Sequence, residues 1–246
     1  MIKATIIGAS GYTGGELLRL LIPHPEVEVV QATSRQKLGE YLYQTHPNLR
    51  KQTTLKFTDP ADSQPTDVLF LALPHGQAQH NIEKYAAAAE HIIDLSADFR
   101  LRDADFYQQW YGEPHAAPDW LDKFVYGLPE LYRDELKSAK YVSGVGCNAT
   151  AVNLGLLPLV NAGLLDEHQP IIAELKVGSS EGGASVNPGS HHPERSSTVR
   201  TYKPYGHRHT AEVIQESGLA DVSLTMTSVG LVRGALATVH GKVKDG

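Results

Sequence analysis

The chain has a single cysteine, Cys147, among its 246 residues. A lone cysteine cannot form an internal disulfide bond, so the fold does not depend on a structural bridge. Long apolar runs are also missing, because no stretch approaches the roughly 20 apolar residues that span a bilayer. No internal repeat or low-complexity linker is visible. These absences argue against disulfide-rich, membrane-spanning and repeat architectures.

An excess of basic charge is absent as well. The formal net charge is −6, and charged residues make up 20% of the chain. Nucleic-acid binding through phosphates needs clustered Lys and Arg side chains, so we expect no nucleic-acid partner. The N-terminal residues enter a β-rich segment directly, without the pattern of a signal peptide. We therefore predict a cytoplasmic protein without membrane association.

The first half of the chain alternates strand-like and helix-like segments. Residues 3–7 are β-rich, a glycine-rich turn follows, and residues 16–22 have helical apolar spacing. In this context the pyrophosphate of a dinucleotide lies at a helix N-terminus. The glycine spacing is G-x-x-G-x-x-G instead of G-x-G-x-x-G, and an ordinary loop is the alternative. The residues predicted to bind the cofactor in this turn are Gly8, Ser10, Gly11, Tyr12, Thr13 and Gly14.

The second predicted strand, residues 27–33, ends in Ser34 and Arg35. An acidic residue here would bind a ribose 2′-hydroxyl and select NAD. A hydroxyl and a guanidinium instead suit a 2′-phosphate, so we predict NADP as the cofactor, with a solvated basic turn as the alternative.

Two more strands are predicted at residues 66–73 and 91–95, with a helix from 77 to about 89 between them. Pro74 and Ser96 follow these strands and are predicted to line the cofactor site, because ligands of parallel sheets bind at the carboxyl ends of strands. The predicted fold class is α/β. Residues 1–146 form a Rossmann-like, doubly wound parallel sheet, and residues 147–246 form an α+β catalytic domain.

Cys147 follows a glycine-rich segment and precedes a helical apolar run at residues 152–160. Unpaired N–H groups and the helix dipole at a helix start favour the thiolate, which is the nucleophile. A buried, inert cysteine is the alternative. We predict that Cys147 is a nucleophile and that Asn148 helps to stabilise an oxyanion.

The second half is predicted to contain strands at residues 170–177, 223–228 and 234–243, with a long functional loop at 178–212. His207 is the first choice for the acid/base residue and His209 is the second, but the sequence does not separate their roles. Arg195 and Arg208 are predicted to bind a substrate phosphate or carboxylate, although a surface charge is the stronger explanation for each of them alone. A zinc hydrolase using the histidines is an alternative, but no further ligand completes the set, so no metal is predicted.

As a set, these motifs resemble the N-acetyl-γ-glutamyl-phosphate reductase family, relatives of aspartate-semialdehyde dehydrogenase. The matching segments are GASGYTG at 8–14, TSR at 33–35, ALPHG at 72–76, DLSADFR at 94–100, YGLPE at 126–130, GC at 146–147 and GHRHT at 206–210. The resemblance implies a catalytic domain of the semialdehyde-dehydrogenase type. It also implies NADPH-dependent reduction of an acyl phosphate to a semialdehyde through a thioester on Cys147.

One departure concerns the residue after the cysteine, where the arginine-pathway enzymes usually carry Tyr-Pro and this chain has Asn148-Ala149. Segments 178–183 and 190–195 resemble a branch whose aminoadipyl or glutamyl phosphate substrate is held on a small acidic carrier protein of the LysW type. The resemblance therefore implies that carrier as a partner, in lysine and arginine biosynthesis. The alternatives are free N-acetyl-γ-glutamyl phosphate as the substrate and a non-catalytic NADP-binding module.

A second departure concerns the end of the chain. Members of the family continue with a stretch that returns to the first domain, so we expect residues 147–246 to be a catalytic and dimerisation domain truncated at its C-terminus. The resemblance also implies a homo-oligomer, a tetramer.

Overall fold

The computed structural model describes residues 1–62 and 64–244. The chain forms two compact units. The first combines Met1–Arg102 with His115–Gly144, and the second combines Asp103–Pro114 with the chain from Val145 onward. The boundary that we predict after residue 146 lies close to the division after Gly144. The assignment of Asp103–Pro114 to the second unit, in contrast, has no signal in the sequence.

A six-stranded parallel sheet forms the centre of the first unit. Its strands are β1 (Ile2–Ile7), β2 (Val27–Ala32), β3 (Thr66–Leu71), β4 (Ala89–Asp94), β5 (Phe124–Tyr126) and β6 (Tyr141–Ser143). The order across the sheet is β2-β1-β3-β4-β6-β5, and every neighbouring pair is parallel. Leu69, Phe70 and Leu71 are buried in succession, as expected for a strand that is covered on both faces. The predicted Rossmann-like sheet is confirmed.

The helices of the two units begin and end as follows, in chain order: α1 (Tyr12–Leu21), α2 (Leu42–Thr45), α3 (Ile82–Ala88), α4 (Ala104–Tyr111), α5 (Pro129–Leu136), α6 (Cys147–Asn161), α7 (His192–Arg195) and α8 (His209–Ser217). Helix α1 ends at Leu21, and Pro23 follows two residues later, where its missing N–H cannot continue the helical hydrogen bonds. Within the described ranges, no helix combines the length and the apolar character needed to cross a membrane.

The helix predicted from residue 77 to about 89 ends close to the predicted position, at Ala88, but its predicted start is wrong. Gln79–Asn81 forms a 3₁₀ turn, and the α-helix begins only at Ile82. At the start, the backbone N–H of Gln79 donates to the carboxylate of Asp98, 3.0 Å away. At the end, Ala89 pairs with Thr66 in the sheet. Long-range hydrogen bonds therefore override the local helix preference of this alanine-rich segment.

A four-stranded sheet forms the second unit, from β7 (Ile171–Val177), β8 (Val199–Lys203), β9 (Val222–Val229) and β10 (Ala235–His240). The order is β10-β7-β9-β8, with a parallel central pair and antiparallel edges. Buried and accessible residues alternate along β7, so one face of the sheet is apolar. That face shares a core with Val152 and Leu156 of α6 and Val213 of α8. The predicted α+β character of this half is confirmed.

The prediction of one long loop over residues 178–212 is wrong. The segment contains α7, strand β8 and the start of α8. All five residues of β8 are exposed, so the strand lacks the alternation of polar and apolar residues that would reveal it. The first turn of α8 buries His209, Thr210 and Glu212, which are polar residues. Hydrophobic periodicity could not identify either element.

Candidate active site

The turn between β1 and α1 is shaped by two glycines with different steric roles. Gly8 has a φ of +85°, and a Cβ there would collide with the carbonyl oxygen of Ala72. At Gly14, a Cβ would lie 2.5 Å from the Cα of Ala9, so this glycine allows α1 to pack against the turn. Gly11 is the N-cap of α1, and none of the described residues surrounding it has an atom within 4 Å of a Cβ built there. The turn is therefore tight at its ends and open at Gly11.

The N-terminus of α1 has the properties of an anion site. No side chain caps it by a hydrogen bond, and its first turn contains no acidic residue. Tyr12 and Thr13 are exposed at this end. The first N–H groups of a helix and the positive end of its dipole favour a phosphate. The residues predicted to bind a pyrophosphate are thus arranged in a way that fits one.

The end of β2 is joined to this turn by two serines. The Ser34 hydroxyl donates to Oγ of Ser10 over 2.9 Å, and Ser34 is buried. Arg35, the next residue, is exposed, and its positive charge opposes the rise that burial causes in the pKa of Tyr85. The Ser34 hydroxyl therefore links the end of β2 to the turn, and the Arg35 side chain is exposed at the same strand end.

The two residues predicted to line the cofactor site at the ends of β3 and β4, Pro74 and Ser96, differ in exposure. Pro74 is exposed, whereas Ser96 is buried. The Ser96 hydroxyl donates to Oδ2 of Asp94 over 2.7 Å and accepts the backbone N–H of Asp98 over 3.1 Å. Burial raises the pKa of the Asp94 carboxyl to about 7, against the hydrogen bonds from Ser96. The Ser96 hydroxyl is therefore engaged inside the protein.

Asp98 is a residue of this edge that the sequence prediction missed. Its Oδ1 accepts the backbone N–H of Gly76 over 2.7 Å and lies 2.8 Å from Nδ1 of His75. Burial would raise the pKa of Asp98, but the donors from His75, Gly76 and Gln79 outweigh it and lower the pKa below its ordinary value. Asp98 is thus a buried carboxylate at neutral pH. The available signal was an acidic residue just beyond a buried strand.

In the second unit, Cys147 is the first residue of α6 and is exposed. The preceding residue, Gly146, is the N-cap and carries no capping side chain. An exposed thiol at the start of a 15-residue helix is in the position that stabilises a thiolate. The alternative of a buried cysteine is wrong.

Helix α8 brings an imidazole and a carboxylate against the residue before Cys147. Oε2 of Glu212 accepts the N–H of Gly146 over 2.8 Å. A Cβ on Gly146 would contact Oε1 of Glu212 and would lie 2.9 Å from Nε2 of His209. Nε2 of His209 is 3.9 Å from Oε1 of Glu212, and both side chains are buried. Because Gly146 has no side chain, His209 and Glu212 can approach the start of α6.

His207 packs against His209. Their ring centroids are 4.6 Å apart with an angle of 83° between the ring planes. Nδ1 of His207 accepts the backbone N–H of His209 over 3.1 Å, so a neutral His207 carries its proton on Nε2. Burial, with the positive charges of Arg208 and Lys203, lowers the pKa of His207 to about 4. His207 is therefore neutral at pH 7.

Asn148, beside the nucleophile, is fully buried. Its Nδ2 donates to Oε1 of Glu181 over 2.8 Å, and Glu181 also accepts the hydroxyl of Tyr202 over 2.9 Å. Burial and this carboxylate raise the pKa of Tyr202. One N–H group of the Asn148 amide is thus hydrogen-bonded to Glu181. The role of Asn148 in oxyanion binding stays a prediction.

The two predicted substrate arginines lie in different environments. Arg195 is buried, and its Nη2 donates to the carbonyl oxygen of Val177 over 2.5 Å. Arg208 is exposed at the N-cap of α8. In the same region His192 lies 3.0 Å from the hydroxyl of Ser179. Across the described residues, no group of three or more His, Cys, Asp and Glu side chains is arranged to hold a metal ion.

Two family models match the chain. The model described as "Semialdehyde dehydrogenase, NAD binding domain" matches residues 3–139. The model described as "Semialdehyde dehydrogenase, dimerisation domain" matches residues 147–246. The chain belongs to the semialdehyde dehydrogenase family. This is a family of oxidoreductases, and its first domain binds a nicotinamide dinucleotide.

Curated relatives within this family are similar over nearly the whole chain. A protein of Thermomicrobium roseum, "Putative [LysW]-L-2-aminoadipate 6-phosphate reductase", is 53% identical, with 98% of this chain and 69% of the relative covered. The "[LysW]-L-2-aminoadipate/[LysW]-L-glutamate phosphate reductase" of Sulfurisphaera tokodaii is 48% identical, with 98% and 71% covered.

Solved structures show the same semialdehyde dehydrogenase fold at low sequence identity. Aspartate semialdehyde dehydrogenase with NADP from Candida albicans has a TM-score of 0.68 at 15% identity, covering all of this chain and 72% of that one. Aspartate semialdehyde dehydrogenase II complexed with ASA from Vibrio cholerae has a TM-score of 0.71 at 14% identity, with 100% and 75% covered.

Proposed function

We propose that this semialdehyde dehydrogenase reduces an acyl phosphate to a semialdehyde with NADPH, through a thioester on Cys147. The proposed substrate is aminoadipate 6-phosphate, and also glutamate 5-phosphate, carried by its amino group on a LysW-type protein. The observation that carries the proposal is the exposed Cys147 at the start of α6, with His209 and Glu212 against the preceding residue. The relatives that are 53% and 48% identical are named for these substrates.

The proposed chemistry starts at the sulfur of Cys147. The thiolate attacks the acyl carbon, the bond from carbon to the phosphate oxygen breaks, and phosphate leaves with the electron pair. When bound, NADPH supplies the hydride that adds to the thioester carbon. The resulting oxyanion re-forms a carbonyl, the carbon–sulfur bond breaks, and the aldehyde and the thiolate separate. N–H groups at the start of α6 are the proposed donors to the oxyanion, each worth about 3 kcal/mol.

We assign proton transfer at Cys147 to His209 and hydrogen-bond donation to His207. The ring of His209 lies against Gly146, and its Nε2 faces the carboxylate of Glu212. That carboxylate favours a protonated imidazole, the form left after a proton is taken from the thiol. His207, with a pKa of about 4 and its proton on Nε2, is a poor base and a fixed donor. This order reverses the simplest expectation from the sequence, in which His207 comes first.

The proposed cofactor is NADP(H) in preference to NAD(H). The support is Arg35, exposed three residues after the end of β2, at the strand end where the ribose of the adenosine half is bound in sheets of this type. A planar guanidinium pairs with a phosphate through two parallel hydrogen bonds. No acidic residue takes the place of Ser34 or Arg35.

The proposed carrier partner and the proposed homo-oligomer rest on family membership and on charge. Arg200, Lys203 and Arg208 are exposed in the second unit, and they would attract an acidic carrier. Attraction of this kind weakens as salt screens it. The second unit matches a dimerisation domain, which supports a homo-oligomer, proposed as a tetramer.

The test compares wild type with Cys147→Ser and Cys147→Ala in two assays. Turnover of the carrier-bound acyl phosphate should be abolished in both variants, because neither offers a thiolate. The dissociation constant for NADPH should stay within about twofold of wild type, since Cys147 lies outside the first unit. Loss of NADPH binding in both variants would show that Cys147 has been given the wrong role.

The substrate assignment needs a second comparison, between the carrier-bound acyl phosphate and free N-acetylglutamyl phosphate. Carrier-bound substrate should be reduced far faster, and the difference should shrink as salt is raised. Equal rates with the two substrates would reject the carrier, and would leave the N-acetyl-γ-glutamyl-phosphate reductase alternative.

A further inference from the structure

The strand order of the first unit fixes where the halves of a dinucleotide would lie. The order β2-β1-β3-β4 reverses direction between β1 and β3, and ligands of open parallel sheets bind outside the strand ends at such a switch point. The turn after β1 is the pyrophosphate site proposed above, and Arg35 after β2 is the 2′-phosphate site. The nicotinamide half therefore lies beyond the ends of β3 and β4. This placement rests on the proposed cofactor.

The turn that follows β3 is held by a single carboxylate. Asp98 accepts the N–H of Gly76 over 2.7 Å at Oδ1 and the N–H of Gln79 over 3.0 Å at Oδ2. Nδ1 of His75 lies 2.8 Å from Oδ1, and a carboxylate oxygen can only accept, so the proton of this pair is on Nδ1. Three groups of one turn, from His75, Gly76 and Gln79, thus converge on Asp98.

Asp98 is itself fixed from several directions. Its N–H donates to the hydroxyl of Ser96, 3.1 Å away. Its carbonyl oxygen lies 3.0 Å from Nε2 of His115, whose Nδ1 accepts the N–H of Ala117 over 3.1 Å. The side chain of Asp98 is fully buried. Through these hydrogen bonds, Asp98 connects the turns after β3 and β4 to the segment around residue 115 and holds them in fixed positions.

The turn that Asp98 holds, residues 74–76, contributes little to the apolar core. Pro74 is exposed, and the His75 side chain is 23% exposed. Gly76 has a φ of +86°, with nothing among the described residues within 4 Å of a built Cβ. Burying a carboxylate is unfavourable unless hydrogen bonds offset the loss of its hydration. The Asp98 carboxylate is buried although the turn that it fixes is accessible. This indicates that the position of the turn matters at the edge of the sheet.

We infer that Asp98 is a positioning residue for the nicotinamide half of the dinucleotide, because it fixes residues 74–76 at the carboxyl end of β3. Asp98 does not itself touch the ligand. It acts through the turn, whose accessible side faces the region where the nicotinamide and its ribose bind.

The test separates the two halves of the cofactor by their ligands. Binding of NADPH and of 2′,5′-ADP, which lacks the nicotinamide, its ribose and the phosphate attached to that ribose, is measured by titration of the full chain. Asp98→Asn removes the charge and one acceptor, so NADPH should bind about 5- to 10-fold more weakly, the worth of one to two hydrogen bonds. The affinity for 2′,5′-ADP should remain within about twofold of wild type.

A second variant disturbs the same turn from the other side. Gly76→Ala introduces a Cβ where φ is +86°, which strains the turn without removing the carboxylate. It should reproduce the selective loss of NADPH. Two variants serve as matched controls, and both should bind each ligand like wild type. Asp103→Asn alters a carboxylate that accepts the N–H of Phe106, and Gly112→Ala alters a glycine with a φ of +82°.

Each result has one meaning. Selective weakening of NADPH in Asp98→Asn and Gly76→Ala supports the inference. Equal weakening of NADPH and 2′,5′-ADP would overturn it, because a general loss of structure affects both halves. Unchanged NADPH binding in both variants would also overturn it, while leaving the proposed function intact. If wild type bound neither ligand, the proposed cofactor would fail first and the inference would fail with it.

Discussion

At the scale of single residues, the sequence identified groups whose chemistry is local. Cys147 follows a glycine turn and starts a helix, and Gly8 and Gly14 have the steric roles expected of a dinucleotide turn. Asp98 and Glu212 were not assigned roles in this way, because their hydrogen-bond partners are contributed by other parts of the chain. Glu212 binds the N–H of a residue 66 positions away. Pairing over such separations is set by the fold.

Gly146→Ala tests the close approach at the nucleophile. The new Cβ would meet Oε1 of Glu212 and the ring of His209, two buried groups that have no room to retreat. We expect turnover to fall by about 100-fold, since a displacement of about 1 Å in a catalytic group has that effect. The matched control is Gly155→Ala, in the same helix with open space at the Cβ position. It should retain turnover and raise the melting temperature, because alanine favours a helix interior.

Arg35→Asp tests the choice of cofactor. The change removes the guanidinium and adds a carboxylate that repels a 2′-phosphate. NADPH should bind at least about tenfold more weakly, while NADH binding holds or improves. Dissociation constants for the two nucleotides measure this directly, with Arg50→Asp as an exposed arginine control. Parallel losses for both nucleotides would remove the argument for NADP.

At the scale of helices and strands, prediction succeeded where an element buries an apolar pattern. Strand β7 alternates, and β3 is a continuous apolar run, so both were recognised within two residues at each end. Strand β8 is exposed along its length, and α8 buries polar residues in its first turn. Strand β8 and the first turn of α8 therefore lack the usual pattern of buried apolar residues, in the segment that includes His207 and His209. The sequence signal was therefore weakest in β8 and at the start of α8.

Glu212→Gln tests the link between α8 and the start of α6. Glutamine can still accept the N–H of Gly146, but it has no charge to offer His209. Because charge-assisted contacts are about twice as strong as neutral ones, we expect kcat to fall by about tenfold and the acidic limb of its pH profile to move. Glu216→Gln, in the last turn of α8, is the control. A lower melting temperature with an unaltered pH profile would indicate a purely structural carboxylate.

At the scale of the whole molecule, buried ionisable groups make stability depend on pH in opposing ways. Asp94 is fully buried, and its pKa rises from 3.8 to about 7, so the folded protein holds a proton that the unfolded chain releases. This contribution is complete below pH 4 and is lost as pH rises through 7. His207, with its pKa lowered to about 4, acts in the other direction between pH 4 and 6.5.

Asp94→Asn isolates the first of these effects, since the variant and wild type share His207. The free energy of unfolding of the variant relative to wild type should rise between pH 5 and pH 8 by at most about 3 kcal/mol, at roughly 1.4 kcal/mol for each pH unit between 5 and the folded-state pKa of about 7. Denaturant titrations at several pH values measure it. Asp134→Asn, whose side chain is 89% exposed, should show a constant difference, and a constant difference for Asp94→Asn would contradict the assigned protonation.

The assignment of Asp103–Pro114 to the second unit means that the polypeptide passes between the units three times, after Arg102, Pro114 and Gly144. A protease that cuts any one of these crossings leaves two covalent tethers in place. Neither half can therefore be released by a single nick, and a gene fragment ending at residue 144 would encode α4 without the remainder of its unit. To separate the protein into two independent halves, the segment Asp103–Pro114 would have to be removed from the first fragment and joined to the second.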